Sequence, residues 1–548
     1  GVMIAGPTSG AGNNNGYIRV DIYATMNNAG GTIQTYANGY AQGNSSQYYL
    51  YTPGGQTATI SGNSYFDDRV YWTGTTNYYG TVSLANNAVI SSAQGLTATG
   101  AQQTYALYNV GAIMSTATGG NVSVTINNYG MSGGSLAVSA GSTITMNGIG
   151  WSNGYISTAA ASGNLAAGAI NFSGTGYVYT STNAALATST AWSSTAPTLN
   201  GAFNILNGGT LSVNPNTYNS QTYWAFGANA ALNNAGTIYI TPYNTGAYWT
   251  YLTISNPSTG AINNSGTIVA GPLSGAGNAN GFINATINAI VNNPGGTIQT
   301  YANGYLQANS SIVYIYIPTG QTATISGNSF FDNGVRWTSG TVNIANGAVI
   351  GAVQGAGTIG FYLDTGMSLQ TASGANATMI SPQVNGGVLT ANGGTLTLNN
   401  VYWNGGVITS SNNGVVLLTG TSNQIITSTT SALSTVNATN APTLAGNLTV
   451  ASGAVLSVNP NTYSNWTYWA FDKTGVLTNN GTIYFTPYNT GSYWTYVWLS
   501  NAAAFTSGVT TQSATINNNG VMIAGPTSGA GNNNGYIRVD IYATMNNA

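Results

Sequence analysis

Aspartate is the only acidic residue that this sequence offers for acid–base chemistry. The chain of 548 residues contains no Glu, no His and no Cys. Asp67 and Asp68, which precede Arg69, form the best candidate pair, because glycosidases use two carboxyl groups about 5–10 Å apart. Residues 1–519 contain six acidic residues, which are Asp21, Asp67, Asp68, Asp332, Asp364 and Asp472.

The pattern around this pair argues against an enzyme. Neighbouring residues of a strand point to opposite faces, which would separate Asp67 from Asp68. The corresponding residues later in the chain are Asp332, Asn333 and Gly334, so the pair is not duplicated. A charged loop is the favoured interpretation, and a metal site or a catalytic site is a weaker alternative. Without His or Cys, a zinc site is excluded, and we expect no catalytic residue, metal or cofactor.

Aromatic residues form the more distinctive pattern. Tyr248-Trp249-Thr250-Tyr251 recurs as Tyr493-Trp494-Thr495-Tyr496, and Tyr48-Tyr49-Leu50-Tyr51 is similar to Tyr314-Ile315-Tyr316. Alternation along a strand places Trp249 and Tyr251 on one face and Tyr248 on the other. Such rings either stack between neighbouring strands, which is the favoured interpretation, or contact sugars or a neighbouring fibre. The candidate contact residues are Tyr248, Trp249, Tyr251, Tyr493, Trp494 and Tyr496.

The near absence of charge narrows the class of protein. Charged residues make up 2% of the chain, and its net charge is −2. Nucleic-acid binding requires basic patches, so we exclude it. No apolar run approaches the ~18 residues of a membrane-spanning helix. With 43% hydrophobic residues the chain can bury a core, and its low charge favours association with itself.

A long repeat organises the whole sequence. Residues 520–548 are identical to residues 1–29, at an offset of 519 positions. The chain therefore contains one 519-residue repeat and the start of the next. A fixed period of this kind is typical of tandem arrays. We expect the copies to continue end to end, so that the main partner of a repeat is another copy of itself.

A second, diverged repeat divides the first. Gly266-Thr267-Ile268-Val269-Ala270 answers Gly1 to Ala5 at an offset of 265, and the offset falls to 245 further along, where Leu211-Ser212-Val213 recurs at 456–458. We therefore predict half-repeats at 1–265 and 266–519, followed by the next copy at 520–548. The fall in offset indicates net deletions between about 335 and 440, in loops or as whole coils of a stacked fold.

The local pattern indicates an all-β fold. Apolar and polar residues alternate in short runs such as Thr395-Leu396-Thr397-Leu398, and Gly or Asn separates the runs. Strand-opening glycines, as at Gly236 and Gly266, recur at intervals of roughly 19 to 30 residues, which suits one coil of a parallel β-solenoid. At ~25 residues per coil, a repeat would have ~20 coils and a length of ~100 Å. A sandwich or propeller is the alternative fold.

Two segments carry a family resemblance. Gly393-Gly394-Thr395-Leu396-Thr397-Leu398 and Gly405-Gly406-Val407-Ile408 resemble the coils of secreted right-handed β-helix adhesins of the filamentous-haemagglutinin and autotransporter-passenger types. The resemblance is diffuse and extends over most of the chain. It implies a right-handed β-helix and an extracellular or cell-surface fibre or adhesin. No Arg-Gly-Asp motif is present, so no receptor follows from the sequence.

Four functions remain open at this stage. The leading hypothesis is a structural subunit of a long extracellular filament of tandem β-solenoid repeats, which would bundle laterally if its faces are adhesive. The second is an adhesin whose aromatic residues bind glycans or another cell surface. An ice-binding solenoid is disfavoured because the coil lengths are uneven, and a polysaccharide-active enzyme is disfavoured because carboxylates are few.

Overall fold

The computed structural model describes most of the chain as β-strands and turns. It describes residues 1–5, 18–35, 46–67, 69–93, 105–181, 196–217, 220–243, 248–255, 259–271, 281–300, 311–353, 361–429, 441–462, 466–488, 491–500, 514–525 and 535–547. Among these residues there is no helix. The all-β prediction is therefore confirmed.

The chain divides into two compact units, and each is described by itself. The first unit comprises residues 1–289 with 308–311, and the second comprises 290–307 with 312–548. The half-repeat boundaries at 265 and 519 are features of sequence, which this division does not test, so they stay a prediction.

The first unit contains twenty-five strands that follow one another along the chain. They are β1 (Val2–Ile4), β2 (Arg19–Tyr23), β3 (Asn28–Ala29), β4 (Thr32–Gln34), β5 (Gln47–Tyr51), β6 (Thr57–Ser61), β7 (Asn63–Phe66), β8 (Val70–Thr73), β9 (Thr81–Leu84), β10 (Ala88–Ser92), β11 (Leu107–Thr116), β12 (Ser123–Ile126), β13 (Tyr129–Val138), β14 (Thr143–Thr158), β15 (Ala169–Thr180), β16 (Thr198–Asn200), β17 (Ala202–Ile205), β18 (Thr210–Pro215), β19 (Gln221–Phe226), β20 (Ala231–Asn234), β21 (Thr237–Ile240), β22 (Trp249–Ser255), β23 (Ala261–Asn264), β24 (Thr267–Ala270) and β25 (Phe282–Asn288).

These strands form three parallel sheets, because each strand pairs with the strand one coil later. In the first sheet β1 pairs with β4, in the second β2 pairs with β5, and in the third β3 pairs with β6. The order then repeats, and the long strand β14 passes through all three sheets within one coil. The coils open, in the described part of this unit, at β1, β4, β7, β10, β12, β14, β15, β17, β20 and β23.

The second unit contains the remaining strands. They are β26 (Ile290–Pro294), β27 (Thr297–Gln299), β28 (Ile312–Tyr316), β29 (Thr322–Ser326), β30 (Asn328–Phe331), β31 (Val335–Ile344), β32 (Val349–Ala352), β33 (Phe361–Leu363), β34 (Met367–Thr371), β35 (Ala377–Ile380), β36 (Pro382–Val384), β37 (Val388–Asn392), β38 (Thr395–Asn399), β39 (Tyr402–Trp403), β40 (Val407–Ser411), β41 (Val415–Thr419), β42 (Asn423–Thr429), β43 (Thr443–Ala445), β44 (Asn447–Val450), β45 (Val455–Pro460), β46 (Trp466–Phe471), β47 (Val476–Asn479), β48 (Thr482–Phe485), β49 (Trp494–Ser500), β50 (Thr515–Asn518), β51 (Val521–Ala524), β52 (Tyr536–Ile541) and β53 (Thr544–Asn547).

The second unit repeats the same construction. Its first, second and third sheets begin with the parallel pairs β26–β29, β27–β30 and β28–β31. Its coils open at β26, β29, the second part of β31, β34, β37, β40, β43, β46, β49 and β52. Only the ends of β42 and β46 pair in antiparallel fashion among the strand pairs described. Each unit is thus a parallel β-solenoid, as the sequence predicts.

Alternation along each strand supplies the core. In β9, β17 and β20 every second residue is buried and the residues between are half-buried. The buried side chains lie in register from coil to coil, and burying each aliphatic one contributes about 1.5–3 kcal/mol. One such column in the third sheet of the first unit runs through Ala58, Val82, Met114, Leu136, Ile156 and Leu199.

Asparagines also stack from coil to coil. In the first unit, the buried Asn234 Nδ2 donates to Asn264 Oδ1 at 2.7 Å. In the second unit, Asn479, Asn518 and Asn547 are linked in the same way at 2.8 Å. Stacked amides satisfy polar groups that would otherwise be buried without partners. Asparagine ladders of this kind are therefore present in both units.

The recurring strand-opening glycines mark places where successive coils touch. A Cβ on Gly266 would lie 2.1 Å from the carbonyl oxygen of Gly236, and a Cβ on Gly236 would lie 2.3 Å from that of Gly209. No side chain fits at that distance, which explains why these positions are glycine.

Coil lengths are uneven, as the sequence indicates. Val388 pairs with Val407 in the next coil, an interval of 407 − 388 = 19 residues. Thr482 pairs with Val521, an interval of 521 − 482 = 39 residues. The coils differ in length, but each of them passes through the three sheets in the same order.

Equivalent strands of the two half-repeats do not occupy equivalent sheets. In the first unit β1 opens the first coil, and its sequence equivalent β24 is the second strand of the tenth coil. In the second unit β26 opens the first coil, and its equivalent β53 is the second strand of the tenth. A half-repeat is therefore nine coils and one strand long in each unit. The deletions in the second half shorten connections and remove no coil.

Candidate functional site

The first predicted aromatic patch lies on the outer surface of β22. Trp249 and Tyr251 point outward and are half-buried, whereas Thr250 and Leu252, which alternate with them along the strand, face the core. Tyr248 precedes the strand and is 62% exposed. The Trp249 ring contacts Phe282 of β25 in the next coil in a tilted arrangement, with 5.5 Å between ring centroids and 46° between the ring planes. We call Trp249, Tyr251 and Phe282 the first-half cluster.

The second predicted patch occupies the matching place on β49. Tyr493 and Trp494 are 62% and 51% exposed, and Tyr496 is half-buried. Trp494 stacks on Tyr536 of β52 with centroids 5.3 Å apart. Rings of neighbouring coils are therefore in contact in both patches, tilted in the first and stacked in the second.

Further aromatic rings enlarge the second patch. Trp466 of β46 lies 4.6 Å from the Tyr496 ring and 4.3 Å from the Trp498 ring, between centroids. Tyr542 contacts Trp498 from the other side at 5.6 Å. We call this group, together with Arg538 and Asp540, the second-half cluster; its rings are Trp466, Trp494, Tyr496, Trp498, Tyr536 and Tyr542.

An ion pair lies within the second-half cluster. Arg538 and Asp540 are two residues apart on β52 and so share its outer face. The Arg538 Nε donates to Asp540 Oδ1 at 3.1 Å. The guanidinium lies over Trp466, 5.5 Å from the ring centroid, in the geometry of a cation–π contact. The opposite charges of Arg538 and Asp540 leave the pair with no net charge.

The same strand occurs once more, as β2 in the first unit. The Arg19 Nε donates to Asp21 Oδ2 at 3.0 Å, so the two side chains form a surface ion pair. This hydrogen bond raises the pKa of Arg19. Arg19 lies over Tyr49 of β5, 4.3 Å from the ring centroid.

Tyrosines of the following coils continue this surface. Tyr23 stacks on Tyr51 with centroids 4.5 Å apart. Tyr49 is followed by Tyr71 at 5.1 Å and by Tyr108 at a further 5.3 Å. The aromatic surface beside β2 therefore runs along the second sheet of the first unit for several coils.

The sequence pattern predicts two equivalent patches, and the structure shows that they differ. Trp466 and Trp498 correspond to Gln221 and Thr253 at the offset of 245 residues. Arg538 and Asp540 correspond to Asn284 and Thr286. These departures from the half-repeat pattern are the sequence signal for the larger cluster. The register between β46, β49 and β52 was needed to recognise it.

Asp67, the leading catalytic candidate, is buried and holds a turn. Its Oδ2 accepts hydrogen bonds from the Thr35 amide at 2.6 Å and from Thr35 Oγ1 at 2.9 Å. Asp332 accepts the same two bonds from Thr300, and the Gly334 amide donates to its Oδ1 at 2.8 Å. Asp68 lies outside the described residues. Asp67 and Asp332 therefore have the same structural role at equivalent turns.

Burial sets the ionisation of these carboxyl groups. It raises the pKa of Asp332 to about 6, and the hydrogen bonds from Thr300 and Gly334 oppose that rise. Burial also raises the pKa of Asp364, against the attraction of Arg336 and a hydrogen bond with Asn385. Within the described residues, no three acidic, His or Cys side chains gather where they could hold a metal.

Comparisons with known proteins leave the family open. No family model matches this chain, and neither the curated proteins nor the solved structures that were searched give a match. Among the residues that the structure describes, no helix is long and apolar enough to cross a membrane.

Proposed function

We propose that this protein is a structural subunit of a long extracellular filament built from tandem β-solenoid repeats. The observation that carries the proposal is that the same sequence pairs with a following coil in one copy and with a preceding coil in the other. Strands β51, β52 and β53 lie within the copy of residues 1–29, and they pair in parallel with β48, β49 and β50. Strands β1, β2 and β3, from the first copy, pair with β4, β5 and β6.

These pairings support a continuing array. Because the two copies are identical in sequence, a coil of this sequence can bind one neighbour on each edge. Exposed strand edges are sites of association, and in an array each repeat would cover the edge of the next. The resemblance to secreted β-helix adhesins supports an extracellular or cell-surface location. The burial of Asp67 and Asp332 in structural turns supports a role without catalysis.

Electron microscopy of chains of one, two and three 519-residue repeats would test the proposal. A repeat contains two half-repeats, so it advances by eighteen coils and two strands. At ~4.8 Å per coil, each added repeat should lengthen a rod of constant width by about 90 Å. Separate compact particles joined like beads would contradict the proposal. Immunogold labelling of intact cells would test the location, which requires label outside the cell envelope.

A glycan-binding adhesin is the second candidate. The second-half cluster favours it, because exposed aromatic rings beside an Arg–Asp pair offer apolar faces and hydrogen-bonding groups on one surface. An assay for polysaccharide hydrolysis, with Asp67→Asn as the variant, would separate either role from an enzyme. Turnover that is lost in this variant would favour an enzyme.

A further inference from the structure

We propose that the second-half cluster is a binding site for a linear, uncharged polysaccharide, present once per 519-residue repeat, where the end of one copy pairs with the start of the next. The inference deepens the adhesin role proposed above and assigns the class of ligand. It rests on three features of the described residues: the row of aromatic rings, the Arg538–Asp540 pair, and the neutrality of the surface.

The rings provide a platform in the direction in which the coils stack. Trp466, Tyr496 and Arg538 are partners in register on three successive strands, and so are Tyr468, Trp498 and Asp540. Trp494 and Tyr536 add an exposed stacked pair, at 51% and 49% exposure. The C–H faces of sugar rings pack against aromatic faces, and a row of rings suits an extended chain of sugars.

The ion pair supplies donors and acceptors beside this platform. The Arg538 side chain is 57% exposed, and of its nitrogens only Nε donates to Asp540 among the described contacts. The terminal nitrogens can therefore donate to sugar hydroxyls. Asp540 Oδ2 is buried and accepts no hydrogen bond, so a hydroxyl group admitted by a small movement of Arg538 would satisfy it.

The absence of net charge on this surface favours an uncharged ligand. Arg538 and Asp540 neutralise each other, and charged residues are 2% of the chain. An anionic polysaccharide would need unpaired cations, and the cation in this cluster is already paired. The first-half cluster lacks the pair, because Asn284 and Thr286 stand at the corresponding positions. The full set of groups therefore occurs once per repeat.

Binding to the 548-residue chain would test this assignment, since that chain contains the whole cluster. The probes are β-1,4-linked hexasaccharides of glucose, N-acetylglucosamine and mannose, with an anionic hexasaccharide of galacturonic acid for comparison. Tryptophan fluorescence and calorimetry give the affinity. We expect at least one neutral hexasaccharide to bind, and Trp494→Ala to weaken it at least tenfold. Arg538→Gln should weaken it as well.

Trp249→Ala is the matched control, because Trp249 occupies the same place in the first-half cluster. It should change the affinity less than twofold. Circular dichroism should show that the Trp494→Ala chain keeps its β-structure, since Trp494 is half exposed. No binding of any neutral hexasaccharide, equal losses in Trp249→Ala and Trp494→Ala, or preference for the anionic sugar would overturn the assignment.

Self-association is the competing use of this surface. It would appear as concentration-dependent sedimentation that Trp494→Ala abolishes, without sugar binding, and it would also overturn the assignment. The test is independent of the filament proposal. Rods that fail to lengthen with added repeats would leave the sugar affinity of a single chain unchanged, so the two proposals can fail separately.

Discussion

Asp332 shows how a carboxyl group can be needed for structure rather than for chemistry. It lies after β30, is inaccessible to solvent, and accepts hydrogen bonds from the amides of Thr300 and Gly334. Asp67 occupies the same place beside Thr35. A buried carboxyl group that organises a turn satisfies backbone N–H groups that would otherwise lack partners.

The raised pKa of Asp332 predicts that stability depends on pH. The pKa of Asp332 is about 6 in the folded chain, above the ordinary value of 3.8. Between these values the folded state binds the proton more tightly than the unfolded state, so stability falls as pH rises from about 4 to about 6. The shift corresponds to about 3 kcal/mol. Urea unfolding from pH 3.5 to 7 should show a falling midpoint.

Asp332→Asn should remove this contribution, because the amide does not titrate. Its unfolding midpoint should therefore fall less over the same pH range, whatever its absolute stability. Asp472→Asn is the control, since Asp472 is exposed and lies in a turn. That variant should keep the decline seen in the wild type. Equal pH profiles for Asp332→Asn and the wild type would contradict the assignment.

Glycine at the start of a strand determines how closely coils approach. Gly236 and Gly266 lie before β21 and β24, which pair in register from Thr237–Thr267 to Ile240–Ala270. The carbonyl oxygen of one glycine occupies the space that a side chain on the next would need. The glycine that recurs before these strands is therefore a packing requirement of the stacked coils.

Gly266→Ala should loosen the coils on either side of it. The new Cβ would lie 2.1 Å from Gly236 O, so the backbone must shift, at a cost of about 1–3 kcal/mol. Coils of a solenoid can open locally, so the measurement is hydrogen exchange of peptides from 231–270, which should become faster. Gly351→Ala is the control, because its Cβ would meet only the Phe330 ring, at 3.4 Å. Unchanged exchange in Gly266→Ala would refute this packing role.

Local pattern predicts the elements of this fold better than their partners. Alternation in Thr395-Leu396-Thr397-Leu398 correctly indicates a strand with one buried face. The partner of a strand depends on coil length, which among the described pairs ranges from the 19 residues between Val388 and Val407 to the 43 between Tyr155 and Thr198. For this reason the sequence pattern indicates Trp494 and Tyr496 but not Trp466, which contacts Tyr496 from the preceding coil.

At the scale of the whole molecule, the important feature is that a half-repeat does not contain a whole number of coils. Each half-repeat advances by nine coils and one strand, as β1 to β24 shows in the first unit and β26 to β53 in the second. Equivalent strands therefore move to the next of the three sheets with every half-repeat. A half-repeat with a whole number of coils would keep them in one sheet.

A continuous array would consequently display each feature on all three sheets in turn. In such an array one repeat would advance a residue by two sheets, so the fourth copy would return to the sheet of the first. Because the chain contains no cysteine, Tyr493→Cys introduces a single thiol per repeat at an exposed position. Maleimide–gold labelling of a four-repeat chain, followed by electron tomography, should place successive labels on three different sides. Four labels on one side would show that the number of coils per repeat is integral. If three sides are labelled, glycan sites in the second-half cluster would face every side of a filament, so that one filament could cross-link several polysaccharide chains.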